Sequence, residues 1–299
     1  MKPDTSQHPA RLAVGVVGVG RAGTALGVAL ARAGHAVMAA SAVSDASMRR
    51  ARASFPDAVI VEPGQLLRLV DLALLTVPDD VLPGLVAGLA ATEAPIAGRM
   101  IAHASGRYGI AVLEPATRRG GLPLALHPVM TFTGRSDDTD RLRGTCFGVT
   151  APDVLRTAAE ALVIEMGGEP VFIAEENRDL YHAALAGAAN HLITLVAEAA
   201  DLLRAAGVAD PARLMGPLLA ASLDNALRFG DAGLTGPVAR GDADTVAAHV
   251  NALEATGASR AAVAAYVAMA RLTADRALAA GLLKPADAER LLDVLGGRP

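Results

Sequence analysis

Through the first half of the chain, apolar residues gather in short β-rich runs that alternate with stretches where they return every third or fourth position. The runs at 12–17, 35–39, 58–61, 72–77, 100–103 and 124–126 read as strands, and the stretches at 24–33, 64–70, 81–90 and 110–118 as helices. Strands separated by helices are βαβ units, because parallel neighbours need a long crossover. The pattern therefore predicts an α/β fold with a doubly wound, mostly parallel sheet. Two further runs, 146–149 and 170–173, flank a helix that begins after Pro152, and the sheet is expected to end there.

From Asn177 the period changes. The stretch YHAALAGAANHLITLVAEAADLLRAAG carries apolar residues at helical spacing, and later helical segments end near Gly207, Gly230, Gly257 and Gly281. The domain boundary is placed near Ala174, giving a sheet domain over 11–174 and an all-helical C-terminal domain over 175–299. With 299 residues, 52% of them hydrophobic, the chain can fill both cores.

Charge and cysteine usage narrow the partners. A net charge of −4 with scattered arginines argues against nucleic acid and anionic lipid. Cys146, the single cysteine, excludes an intrachain disulfide framework and a cysteine zinc cluster, and no metal site is expected. In the strand-like run TCFGVT it reads as a buried, inert thiol. The first residues lack the pattern of a secretory signal, and the best membrane candidate, 183–200, is interrupted by Asn190, His191 and Glu198. These features lead us to expect a cytoplasmic protein with no membrane contact.

The first chemical motif is Gly18, Gly20 and Gly23 in GVGRAG, placed after a strand and opening a helix. In G-x-G-x-x-G the first glycine permits the tight turn, the second lets a pyrophosphate approach the backbone, and the third lets helix pack on strand. Free N–H groups at the helix start, here at Arg21 and Ala22, together with the helix dipole, favour phosphate. A carboxylate about 20 residues beyond the loop usually holds the ribose of NAD. Here that region is Ala39-Ala40-Ser41-Ala42, with no acid. Ser41 and Ser44 as donors and Arg49 as a charge suit a 2′-phosphate instead, so NADP (NADPH) is expected over NAD. The other reading of Arg49, Arg50 and Arg52 is a solvated helix face.

Ligands of such sheets sit beyond the carboxyl ends of the strands. That rim carries Thr76-Val77-Pro78-Asp79-Asp80, with Val77 and Pro78 against the cofactor, then His103-Ala104-Ser105-Gly106, then His127-Pro128. His127 suits a proton relay and Ser105 an orienting hydroxyl; a hydrogen-bonded structural histidine and a turn cap are the other readings. His103 reads as a core histidine. On the first long helix of the second domain, Tyr181 and His182 are candidate substrate contacts and Asn190 an orienting group. At about 100° per residue, Tyr181 and Asn190 would face opposite sides of a straight helix. Arg240, in LTGPVARGD, is a candidate anchor for a substrate carboxylate, or else a surface ion pair.

Together, GVVGVGRAGTAL, LLTVPDD, AHASG, LALHPVMTF, YHAALAGAANHLITL and LTGPVARGD resemble an uncharacterised family with a Rossmann-like first domain and a C-terminal helical domain of unknown function. That family is similar to pyrroline-5-carboxylate reductase, prephenate dehydrogenase and ketopantoate reductase, and its helical part resembles the C-terminal domain of 6-phosphogluconate dehydrogenase. The prephenate dehydrogenase likeness implies roles for Ser105 and for His127 with Pro128. The hydroxyacid dehydrogenases pair a helix lysine with an asparagine four residues on; Asn190 fits, but the lysine position is Ala186. The expectation is an NADP-dependent oxidoreductase, dimeric in the manner of these relatives, acting on a small carboxylate-bearing carbonyl or imine, a 2-keto acid such as ketopantoate among the candidates. The competing expectation is an NADP-binding sensor without catalysis.

Overall fold

The computed structural model describes residues 11–296. The first ten residues, which the reading for a secretory signal included, lie outside the described residues, as do the last three of the helical domain. The chain divides into two compact units between Ala188 and Ala189.

The first unit runs β1 (Ala13–Val17), α1 (Arg21–Arg32), β2 (Ala36–Ser41), α2 (Asp45–Ser54), β3 (Val59–Ile60), α3 (Pro63–Leu66), β4 (Leu72–Leu75), α4 (Leu82–Ala91), β5 (Met100–His103), α5 (Glu114–Thr117), β6 (Leu122–Pro128), β7 (Cys146–Thr150), α6 (Arg156–Glu165), β8 (Glu169–Phe172) and α7 (Arg178–Ala186). The eight strands form one sheet in the order β3-β2-β1-β4-β5-β6-β7-β8. Every neighbouring pair is parallel except β6 with β7. Successive side chains of a strand face opposite ways, and both faces are covered here. Val14 and Val16 of β1 join a core with Leu26 and Leu30 of α1, while Val17 joins Leu66, Val86 and Leu89 beyond the other face. The order of strands reverses between β1 and β4, which opens a crevice at their carboxyl ends.

Several elements depart from the sequence expectation. The helix expected over 64–70 is a single turn, because Leu66 and Leu67 both tuck onto the sheet and the chain must reach β4 within a few residues. Strand β6 is longer than 124–126 and ends in Pro128, whose missing N–H is tolerated at the strand terminus. Cys146 is exposed, contrary to its reading as a buried thiol: it is the first residue of β7, ahead of the segment that the core covers. The compact unit also extends past Ala174, since α7 stays on the sheet through its buried first residue, Arg178.

The second unit is helical: α8 (Leu192–Ala205), α9 (Pro211–Phe229), α10 (Pro237–Arg240), α11 (Ala243–Ala255), α12 (Arg260–Ala279) and α13 (Pro285–Gly296). Its core is a cluster from α11, α12 and α13 that includes Val246, Val250, Val267, Ala274, Leu291 and Leu295. Helix α8 buries no residue and α9 only Pro211 and Met215. Between α7 and α8 the backbone widens into a π turn, Gly187–His191. That turn breaks the 100° phase assumed for Tyr181 and Asn190, so their opposition on a straight helix does not hold. The helical run Glu175–Ala205 contains an 18-residue window of mean hydropathy 1.3, long and apolar enough to cross a membrane by length and composition. The polar residues noted at 190, 191 and 198 do not lower it below that mark.

Candidate functional site

The glycine loop has the geometry of a phosphate cradle. Gly18 lies at φ 88°, and a Cβ there would stand 2.9 Å from the Thr76 carbonyl oxygen. Its N–H donates to the Ser41 carbonyl (2.9 Å), tying the ends of β1 and β2 together. A Cβ on Gly23 would collide with the Thr76 hydroxyl and the Gly18 carbonyl, so the third glycine brings α1 against the strand ends. Gly20 differs: nothing lies within 4 Å of the Cβ it lacks. It is the N-cap of α1 and supplies no side-chain acceptor, and no acidic residue stands in the first turn of that helix. The N–H groups at Arg21, Ala22 and Gly23, in the first turn of that helix, thus have no side-chain cap, as an anion site requires. Thr76, placed on the rim by the sequence but given no role there, locks this turn by donating its hydroxyl to the Gly18 carbonyl (2.6 Å).

Beyond β2, Ser41 is buried at the strand end. Ser44 is the N-cap of α2: its oxygen accepts from the Ser47 amide (3.2 Å) and its hydroxyl donates to Ser47 (3.0 Å). Helix capping thus engages Ser44, which corrects its reading as a free phosphate donor. Arg49 is exposed, and its neighbour Arg50 reaches back so that Nε donates to the Val19 carbonyl of the glycine loop (3.1 Å). No carboxylate stands between Ser41 and Ser44.

The second cluster forms where β5, β6, β7 and α7 meet. His103 is buried; Nε2 donates to the Gly109 carbonyl (2.8 Å), and Nδ1 accepts from the Ser105 amide (3.2 Å). Both ring nitrogens are satisfied in the neutral tautomer, and burial pulls the pKa down to about 4. It is a core histidine, as read. The Ser105 oxygen accepts from the Tyr108 amide (3.2 Å) and so caps the turn after β5. That contact is the turn-cap reading of Ser105.

His127 is half-buried at the end of β6, opposite Gly148 of β7. Its Nδ1 is 2.7 Å from the Tyr181 hydroxyl, and the two rings meet edge-on at 88°. Among the described residues no protein group pairs with Nε2, which faces Gly106: a Cβ there would stand 2.8 Å from it and 2.7 Å from the His182 ring. Desolvation, then the charges of Arg178 and His182, lower the His127 pKa to about 4, against a smaller opposite effect of Asp79. At neutral pH the ring is uncharged.

Under this pair lies Arg178, 2% exposed. Its Nε donates to the Thr150 hydroxyl (2.8 Å) and Nη2 to the Gly148 carbonyl (3.0 Å), while Nη1 has no partner. Its guanidinium carbon is 5.6 Å from the centre of the Tyr181 ring. Gly148 makes this fit, since a Cβ there would collide with the Tyr181 hydroxyl. Glu175, just before α7, accepts from the amides of Ile110 (2.7 Å) and Ala111 (3.1 Å) and so fastens the β5 loop to this corner. Nothing in the sequence flagged Arg178 or Glu175, because charged residues at a helix start ordinarily face solvent.

Of the sequence candidates, Ser105, His127, Tyr181 and His182 come together, all within the first unit. Asn190 and Arg240 are exposed and belong to the second unit. Asn190 lies in the π turn and needs no buried partner; Arg240 is the last residue of α10.

The comparisons agree with this architecture. Residues 1–128 match the family model of a Rossmann-like domain and residues 145–273 that of a domain of unknown function, DUF2520. The two models thus match the chain in succession, a Rossmann-like domain model first and the DUF2520 model after it. Among solved structures it is similar to a Bacteroides fragilis protein whose name assigns it provisionally to the NADP oxidoreductases (TM-score 0.71, 19% identity, 89% of this chain and 98% of that one). It is also similar to an imine reductase from a Pseudomonas species (TM-score 0.64, 20% identity, 96% of this chain and 100% of that one). A third likeness is to a reductive aminase from Aspergillus terreus in complex with NADPH and ethyl levulinate (TM-score 0.66, 16% identity, 94% and 99%). At these identities the likeness is one of fold. No curated protein matches the chain.

Proposed function

We propose that the protein is an NADP-dependent oxidoreductase acting on a small carbonyl or imine, carboxylate-bearing in the preferred case. The observation that carries this is the open space over Gly20 at the uncapped start of α1, on the sheet edge that also presents His127. The fold neighbours named as imine reductase and as reductive aminase with NADPH support it. When bound, a reduced nicotinamide coenzyme supplies hydride. The chain's own groups then do the rest: the amides of Arg21, Ala22 and Gly23 bind diphosphate, and Arg49 with Arg50 favours a 2′-phosphate in a region without a carboxylate. Val77 and Pro78 wall the crevice, and His127 presents Nε2 to the reacting oxygen or nitrogen.

The test is NADPH consumption with a panel of 2-keto acids and cyclic imines. Turnover that collapses in His127→Asn while coenzyme binding persists is the expected result. Tight NADPH binding with no turnover on any member would favour the sensor reading, for which the observation is Ala186 in place of the hydroxyacid dehydrogenase lysine.

The partner we propose for α8 and α9 is a second copy of the chain. Ile193 (64% exposed), Leu218 (67%) and Leu227 (80%) belong to an apolar surface along these helices that a monomer would leave in water. Closed two-fold pairing is the commonest way to cover such a surface.

A further inference from the structure

We propose that the proton delivered by His127 is replenished from the Tyr181 hydroxyl, with the buried Arg178 as the counter-charge that makes the resulting phenolate tolerable. Tyr181 and Arg178 are thus positioning residues acting through His127. The inference rests on the reductase reading above and adds to it the source of the proton.

The argument starts from an imbalance. Arg178 is 2% exposed, and among the described residues no carboxylate forms an ion pair with it. One of its terminal nitrogens is unpartnered. A buried cation with no carboxylate in direct contact is costly and asks for a compensating role. Two acidic groups act on it from further off, Tyr181 more strongly than Glu175, and the Tyr181 ring centre is 5.6 Å away. Arg178 and the Gly148 amide both favour the phenolate, although burial outweighs them and raises the phenol's pKa. Its oxygen therefore turns lone pairs toward positive charge and its proton toward His127 Nδ1, 2.7 Å away. A hydroxyl donating to Nδ1 holds the imidazole as the Nε2–H tautomer. The free N–H then faces the gap beside Gly106.

The transfer balances. The reduced nicotinamide coenzyme of the proposed reaction supplies hydride to the substrate carbon, a two-electron reduction. The Nε2 proton of His127 passes to the substrate oxygen or nitrogen, the phenol proton moves to Nδ1, and phenolate remains beside Arg178 until a solvent proton enters at Nε2 and the Nδ1 proton returns to the phenolate oxygen, which restores the starting tautomer. His127 stays neutral throughout. The groups around it are Asp79 after β4, His103 on β5, and Arg178, Tyr181 and His182 on α7; Cys146 of β7 and Glu175 complete the surroundings of Tyr181 and Arg178.

Two measurements test this. The first, nitrogen-15 NMR of histidine in the whole protein, needs no turnover. It should show His127 as the Nε2–H tautomer titrating well below 6.5, with the midpoint rising in Arg178→Met and staying low in Arg178→Lys, which keeps the cation. The second is kcat against pH: a flat profile from about pH 5 to pH 9, and in Tyr181→Phe a kcat loss of about 10²-fold with KM little changed. An Nδ1–H tautomer in the wild type, an unmoved midpoint in Arg178→Met, or full kcat in Tyr181→Phe overturns the proposal. If Arg178→Met does not fold, the wild-type tautomer and the Tyr181→Phe arm decide. If NMR agrees but no substrate turns over, it is the reductase reading that fails.

Discussion

Adding one methyl group at either of two glycines three residues apart should separate the fold from its ligand. At Gly20 the backbone sits at φ −80° and ψ −162°, a conformation open to any residue, and a Cβ there meets nothing within 4 Å. Replacing glycine at a compatible position gains about 0.4–1 kcal/mol through the unfolded chain, partly offset because alanine is a poorer N-cap. Gly20→Ala is therefore expected to leave stability within about 1 kcal/mol of wild type. Its methyl, however, projects into the space where a diphosphate would meet the amides of α1. We expect NADPH binding to weaken 10- to 100-fold, equivalent to about 1.4–2.8 kcal/mol. At Gly23 a Cβ strikes the Thr76 hydroxyl and the Gly18 carbonyl, one of them fixed backbone. Overpacking of that kind costs about 1–3 kcal/mol, and each kcal/mol lowers Tm by about 2–4 °C in a unit of this size. Thermal unfolding and isothermal titration on both variants check the pair. Unchanged NADPH affinity in a stable Gly20→Ala protein would refute the cradle.

Further expectations follow from the buried imidazoles and the bare helices. His103 titrates near 4 when folded and near 6.5 when unfolded, so its contribution is full above pH 6.5 and is lost as pH falls toward 4, at about 1.4 kcal/mol per pH unit. His127 is shifted the same way. Urea unfolding across this range should show the slope, and His103→Gln should reduce it; a stability independent of pH between 6.5 and 4 contradicts the burial argument. Leu218→Asp with Leu227→Asp should halve the molar mass seen by light scattering without lowering helix content, whereas a wild type that is already monomeric rules out the second copy.

How much of this was legible in the sequence depended on whether a residue's neighbours lie close along the chain. Strand β1 and the turn after it could be read directly, since Val14, Val16 and the three glycines act within one local motif. The rim positions of His127 and Ser105 followed from strand ends alone. Their partners did not: Tyr181 reaches His127 across 54 residues of sequence, and Arg178 is buried only because α7 packs its first residue beneath Gly148. Ser44 illustrates the opposite failure, where a serine before a helix start was assigned to a ligand although capping chemistry claims it first. The π turn escaped because GAAN carries no signal that separates it from a regular helical turn.

The central claim is that the turn from β1 into α1 grips a pyridine dinucleotide and that the acid-free end of β2 accepts its extra phosphate. Calorimetric titration of the wild-type protein with NADPH and with NADH tests it most directly. We expect saturable heat with both and at least tenfold tighter binding of NADPH; no heat with either contradicts the claim outright, and tighter binding of NADH contradicts the assignment of the phosphate.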